Sequence, residues 1–162
     1  FKHFDAFGFL ALLLCGFGWG IPVEIDPRYY KHPRRDELIV SLAGVTMNFI
    51  LAVIFAFVLK FIFISDYNFG AEGYSKYILE IIVNIIQINI VLMVFNLLPV
   101  PPLDGFGVIT QIFNLQKYDW YWKFYDAGFM IILLLVVFGV LDNLITVPIT
   151  SIYNWLINMI IF

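Results

Sequence analysis

Charge is scarce in this chain, and the scarcity excludes more than any motif does. Of 162 residues only 13% are Asp, Glu, Lys or Arg while 62% are hydrophobic, against roughly a quarter charged and half apolar in soluble domains. A soluble globular domain and a disordered tail are both excluded. Nine Lys and Arg against twelve Asp and Glu give a net charge of −3, too few basic groups and too scattered to neutralise a phosphate backbone, so no nucleic-acid partner is expected. The single cysteine, Cys15, cannot close an intrachain disulfide and reads as a small buried side chain in an apolar run. There are only two histidines, His3 and His32, and no pair at i, i+4, so these residues do not by themselves complete a common tetrahedral zinc site. Gly16-Phe17-Gly18-Trp19-Gly20 lacks the preceding strand and following amphipathic helix of a phosphate loop, and no nucleotide is expected. No internal repeat is visible. The first residue is Phe, not Met, and the expectation is a natural polypeptide that begins upstream.

What is present in abundance is apolar length. Segment 38–64 is an almost unbroken apolar run, and 77–98 and 124–146 also have spanning length for a hydrocarbon core of about 30 Å. The earlier run 7–21, with four glycines, would rise only about 22 Å as a helix and reads as re-entrant or short. The tail 149–162 suits a terminal helix at headgroup level or against the bundle. The fold expected is an all-α membrane protein: a polytopic helical bundle with a re-entrant or short first segment and a proline-broken third span, forming one transmembrane domain over 1–162. Arg28, Lys31, Arg34 and Arg35 cluster before the second span and Lys117 and Lys123 follow the third. By the positive-inside rule, loops 22–37 and 114–123 are cytoplasmic and loop 65–76 is extracytoplasmic in a multi-pass protein of the cell membrane. Trp120, Tyr121, Trp122 and Tyr125 are expected to mark an interface.

Polar chemistry meets this apolar background at Asn96-Leu97-Leu98-Pro99-Val100-Pro101-Pro102-Leu103-Asp104-Gly105. Three prolines within four positions prevent a continuous helix, yet the flanks remain apolar enough for membrane depth, where broken main chain must be buried in protein or line a wet cavity. An ionised Asp104 there needs a cation or a metal. The alternative is a turn at the interface with Asp104 capping the helix that follows. Glu80, Asn84 and Gln87 share a helical face by spacing and are expected to face the bundle, and Asn89, Asn96 and Asn48 read first as helix–helix packing groups.

In order and spacing these blocks resemble the site-2 protease family of intramembrane zinc metalloproteases, in its compact bacterial form. The stretch Asn96 to Gly105 is similar to that family's Asn-x-x-Pro-x-x-Pro-Leu-Asp-Gly motif, and the resemblance implies that Asp104 is a zinc ligand. Phe17 to Val23, Asp26-Pro27-Arg28 and Pro33-Arg34-Arg35 resemble the loop before the next helix. Ala43-Gly44-Val45-Thr46-Met47-Asn48 resembles that helix's Ala-Gly-Pro-x-x-Asn entry, with Val45 where proline is usual. Lys2 to Gly8 resembles the link out of the metal-binding helix, so His3 is not expected to ligate zinc. The family's His-Glu-x-x-His helix, which carries two zinc ligands and the general base, is absent from these residues. It is expected upstream, and the chain alone is expected to be inert.

The resemblance implies hydrolysis of peptide bonds in or near transmembrane segments, with a transmembrane substrate protein and the lipid bilayer as partners and Zn2+ as cofactor. The alternating stretch Ile21-Pro22-Val23-Glu24-Ile25-Asp26 is expected to offer a strand edge, through Val23 and Ile25, to an unwound substrate. Asn96 and Asn48 either hydrogen-bond substrate or oxyanion near the metal or pack helices. A non-catalytic membrane scaffold and a small transporter holding a cation at Asp104 are the rival readings, although a transporter's symmetry between halves is not visible.

Overall fold

The computed structural model describes residues 5–15, 20–21, 29–65 and 74–161, and it is all-helical there, with no strand among the described residues. The chain divides into two units, Phe1–Pro33 and Arg34–Phe162.

In the first unit, α1 spans Ala6–Cys15. Asp5 sets its start: the carboxylate Oδ1 accepts from the backbone N–H of Phe7 at 2.8 Å and of Gly8 at 3.0 Å, satisfying donors that the first turn leaves open. Ten residues rise only about 15 Å, half the thickness of a hydrocarbon core of about 30 Å. Val23 and Ile25, proposed as a strand edge, lie outside the described residues, as does His3.

In the second unit, α2 spans Pro33–Ser65, α3 Tyr74–Asn96, α4 Asp104–Phe113, α5 Asp119–Val137 and α6 Val140–Ile161, with a 3-10 turn at Leu115–Lys117. Among the described residues three helices are long and apolar enough to cross a membrane: Pro33–Ile62, Lys76–Asn96 and Asp119–Val137.

The boundaries differ from the sequence expectation in instructive ways. Pro33 opens α2 five residues before the apolar run, because proline suits the first helical turn, where its missing N–H costs nothing. The loop expected over 22–37 is therefore shorter at its end. The loop expected over 114–123 contracts likewise, since Asn114 takes the left-handed conformation (φ 53°) that stops α4 and α5 begins at Asp119. The helix expected over 124–146 breaks at 138–139: Gly139 adopts φ +64°, and its N–H returns to the Val136 carbonyl at 3.0 Å. The tail helix then starts at Val140 instead of 149, so Pro148 lies inside it and not between two helices. Gly139 was the punctuation that hydropathy concealed.

The core of this unit is a seam of α2, α3 and α6. Val45, Ala52, Ala56 and Leu59 of α2 meet Ile82, Ile86, Ile90, Met93 and Val94 of α3 and Leu156 and Ile160 of α6. Ala52 and Ala56 are fully buried, and small side chains at such a seam let helices approach closely where lipid offers no hydrophobic driving force between them. With its isoleucine face committed to that seam, α3 leaves Glu80, Asn84 and Gln87 exposed, which corrects the expectation that they face the bundle. Glu80 pairs with Lys76 one turn away, at 3.9 Å. Asn89 donates to the carbonyl of Ile85 in its own helix at 2.8 Å, a local bond in place of the interhelical one expected.

Candidate functional site

The proline-rich stretch leaves α3 at Asn96 and re-enters helix at Asp104. The Pro101-Pro102 bond is cis. Leu103, with φ −71° and ψ 154°, is the N-cap of α4 and has no side-chain oxygen to cap with. Asp104 is thus the first helical residue and not the cap, so the capping alternative is not realised. A carboxylate in that first turn is favoured by the helix dipole.

Three glycines mark where other segments press on this turn. A Cβ on Gly105 would collide with the Leu97 carbonyl and come within 2.7 Å of the Leu98 carbonyl oxygen, so the end of α3 lies directly against the start of α4. A Cβ on Gly128 of α5 would collide with the Pro101 carbonyl. A Cβ on Gly44 of α2 would sit 3.2 Å from Asp104 Oδ2, which places the α2 backbone beside the carboxylate. Main chain from three helices approaches this turn because three side chains are missing.

Asp104 opens onto a cavity of about 160 Å³ lined by Glu37 and Ser41 of α2, Pro102 and Leu103 of the turn, Asp104, Phe106, Gly107 and Thr110 of α4, and Tyr121 and Tyr125 of α5. The apolar wall is built on Phe106, buried and stacked on Tyr121 with ring centroids 5.6 Å apart, and with the ring of Phe124 tilted against it at 5.5 Å. Tyr121, expected in an interfacial aromatic belt, is therefore buried, while Trp120 and Trp122 remain exposed. Arg34, expected in a basic anchoring loop, stands in the first turn of α2 and its Nη2 donates to the Gln111 carbonyl at 2.8 Å, tying α2 to the end of α4.

Asp104 is half-buried, and no hydrogen bond or ion pair reaches its carboxylate among the described residues. It stands between the candidate spans, not within one, and burial pushes its carboxyl up from the ordinary value of 3.8. A cation at this oxygen would reverse that shift. The site therefore fits a zinc ion in its donor chemistry, offering one unpaired carboxylate beside a polar cavity. It does not complete the coordination, for no group of three His, Cys, Asp or Glu that could hold a metal occurs among the described residues.

Of the remaining sequence candidates, Asn48 is half-buried one turn beyond Gly44 on α2, and Asn96 is half-buried at the last position of α3. Neither lines the Asp104 cavity. Sequence reading missed Glu37, Ser41, Thr110, Tyr121 and Tyr125. A signal for two of them was present: Glu37, Ser41, Gly44 and Asn48 stand at i, i+4, i+7 and i+11, a polar stripe on one face of an otherwise apolar helix.

Comparison with known proteins identifies relatives of the sequence. The model of Peptidase family M50 matches residues 5–139. A protein of Bacillus subtilis (strain 168) described as "Putative zinc metalloprotease YwhC" is 39% identical over 114 residues, covering 68% of this chain and 50% of the relative. The chain spans about half the length of that relative. No solved structure matches.

Proposed function

The chain belongs to Peptidase family M50, the site-2 protease family, and from that membership we propose that it forms part of an intramembrane zinc metalloprotease acting on peptide bonds in or near transmembrane segments of membrane-bound substrates. The observation that carries the reading is the Asp104 carboxylate, half-buried, unpaired among the described residues and open to a polar cavity. Among the described residues, Asp104 is the ligand assigned to zinc in this reading. Two imidazoles and the general base come from a His-Glu-x-x-His helix that the 162 residues do not contain, and the chain alone does not hydrolyse peptide.

Zinc held in part by Asp104 would supply Lewis acidity toward a scissile carbonyl and lower the pKa of a bound water. The rest falls to the protein. The first turn of α4 holds Asp104 against the α2 backbone at Gly44. The cavity bordered by Glu37, Ser41 and Thr110 admits water to the carboxylate, while the Phe106–Tyr121 stack walls it from lipid. A substrate helix must be locally extended before its amides are reachable, and Val23 and Ile25 offer the edge along which it lies. Asn48 and Asn96 donate to substrate backbone or to the developing oxyanion. What remains of loops 22–37 and 114–123 outside the helices faces the cytoplasm, and what remains of 65–76 the opposite side; Gln116→Cys, with Cys15→Ser, should react with an impermeant thiol reagent only from the cytoplasmic face.

The test is Asp104→Ala in the complete polypeptide, with zinc content measured by metal analysis and cleavage followed on a transmembrane substrate. The expected outcome is loss of both. A folded variant that keeps its zinc and still cleaves overturns the assignment.

A further inference from the structure

The cavity beside Asp104 holds a polar group for which the turn and the aromatic wall give no account. Thr110 is 2% exposed, lines the cavity, and its Oγ1 has no hydrogen-bond partner among the described residues. A threonine within a helix ordinarily returns its hydroxyl to the carbonyl four residues back. Here the Phe106 carbonyl is not used. A buried hydroxyl without a partner is destabilising, so something other than the described protein groups is expected to satisfy it.

The geometry indicates what that is. Asp104, Gly107 and Thr110 follow one another at three-residue steps around α4, so the cavity lies over Gly107, where no side chain fills it. A Cβ on Gly107 would come within 2.6 Å of Ser41 Oγ, which puts the Ser41 hydroxyl across the same gap. Asp104 and Thr110 are separated by about 9 Å of helix rise, too far for a direct bond. A cavity of 160 Å³ with polar lining has room for several waters at about 30 Å³ each, and each such water requires two to four polar partners.

Resting on the reading of Asp104 as a zinc ligand, we propose that Thr110 and Ser41 are positioning residues: through water held over Gly107 they hydrogen-bond the Asp104 carboxylate and fix the orientation in which it meets the metal. The arrangement replaces a protein partner for the carboxylate with an ordered-water one, because a metal ligand must be oriented without being neutralised. Outer partners of this kind are worth about 10- to 100-fold in metal affinity.

The experiment measures zinc affinity of the complete polypeptide by competition with a chelator, alongside its thermal unfolding. Thr110→Val removes the hydroxyl at nearly constant volume and should weaken zinc binding about 10-fold or more, whereas Thr110→Ser should restore most of it. A threonine serving only the fold predicts the reverse, with unfolding shifted and zinc affinity unchanged, and that outcome overturns the proposal. Ser41→Ala, which removes the hydroxyl across the cavity, supplies the second reading if Thr110→Val does not fold; zinc affinity equal to wild type in that variant also overturns it. Asp104→Ala separates the two levels. Zinc retained there defeats the assignment of Asp104 itself, while zinc lost there but unaffected by Thr110→Val and Ser41→Ala defeats only the positioning role.

Discussion

One face of α2 carries two different chemistries. Glu37 and Ser41 border the Asp104 cavity and Gly44 abuts the carboxylate itself, whereas Ala52, Ala56 and Leu59, farther along the same stripe, belong to the buried seam with α3 and α6. The seam is apolar, closed and satisfied by packing alone. The corner made by the start of α2, the proline turn, α4 and the start of α5 is polar, holds a cavity and, among the described residues, leaves Asp104 and Thr110 without protein partners. A single continuous helix links them, so a rigid scaffold is coupled directly to a site that tolerates unpaired polar groups. Substitutions should therefore separate: changes in the seam move stability and spare metal binding, and changes in the side chains that border the cavity do the opposite, except at the contacts that hold the corner together, above all where main chain meets main chain.

That exception gives the largest effect. Gly105→Ala drives a methyl into the Leu97 and Leu98 carbonyls, which are backbone and cannot swing away. A loss of about 3 kcal/mol or more is expected in reversible unfolding of detergent-solubilised protein, with zinc affinity falling as well. Next comes the seam itself: Leu156→Ala, at a fully buried position, should cost about 2–3 kcal/mol through the cavity it leaves while the chelator-competition affinity stays at wild type. A parallel drop in zinc affinity would break the separation. Arg34→Ala removes the bond to the Gln111 carbonyl and should lower stability by about 1 kcal/mol, and Arg34→Lys should restore only part of it because the guanidinium geometry is lost. Gly44→Ala sharpens the comparison further, since its methyl would stand 3.2 Å from Asp104 Oδ2. A measurable weakening of zinc binding with little change in unfolding is expected; unfolding changed with zinc binding intact would assign Gly44 to the scaffold. The smallest effect belongs to Lys76→Ala on the exposed face of α3, where a solvent-facing pair at 3.9 Å should contribute no more than about 0.5 kcal/mol.

The legible part of the fold was the part set by local composition. Hydropathy located α2 and α3, and the proline cluster located the break between α3 and α4, because both are properties of a residue and its immediate neighbours. The break at Gly139 was missed for the complementary reason: the residues on either side are apolar, and only the left-handed backbone at one glycine ends α5 there. The same limit explains α3. Its Ile face and its Glu80–Asn84–Gln87 face were both readable as stripes, but which of them turns inward depends on where α6 packs.

The sequence by itself determined an all-helical membrane chain, the position of one acidic residue beside a broken helix, and the motif order that marks its family. Tertiary structure alone decided what surrounds that residue. Gly44, Gly105 and Gly128 permit three segments to touch the turn at main-chain distance, and that contact brings Ser41 and Tyr121, some sixty residues before and seventeen after Asp104, to the walls of one cavity with Thr110. The reason is physical: a missing side chain is visible in a sequence, but the neighbour that fills the space is fixed only when helices distant along the chain cross.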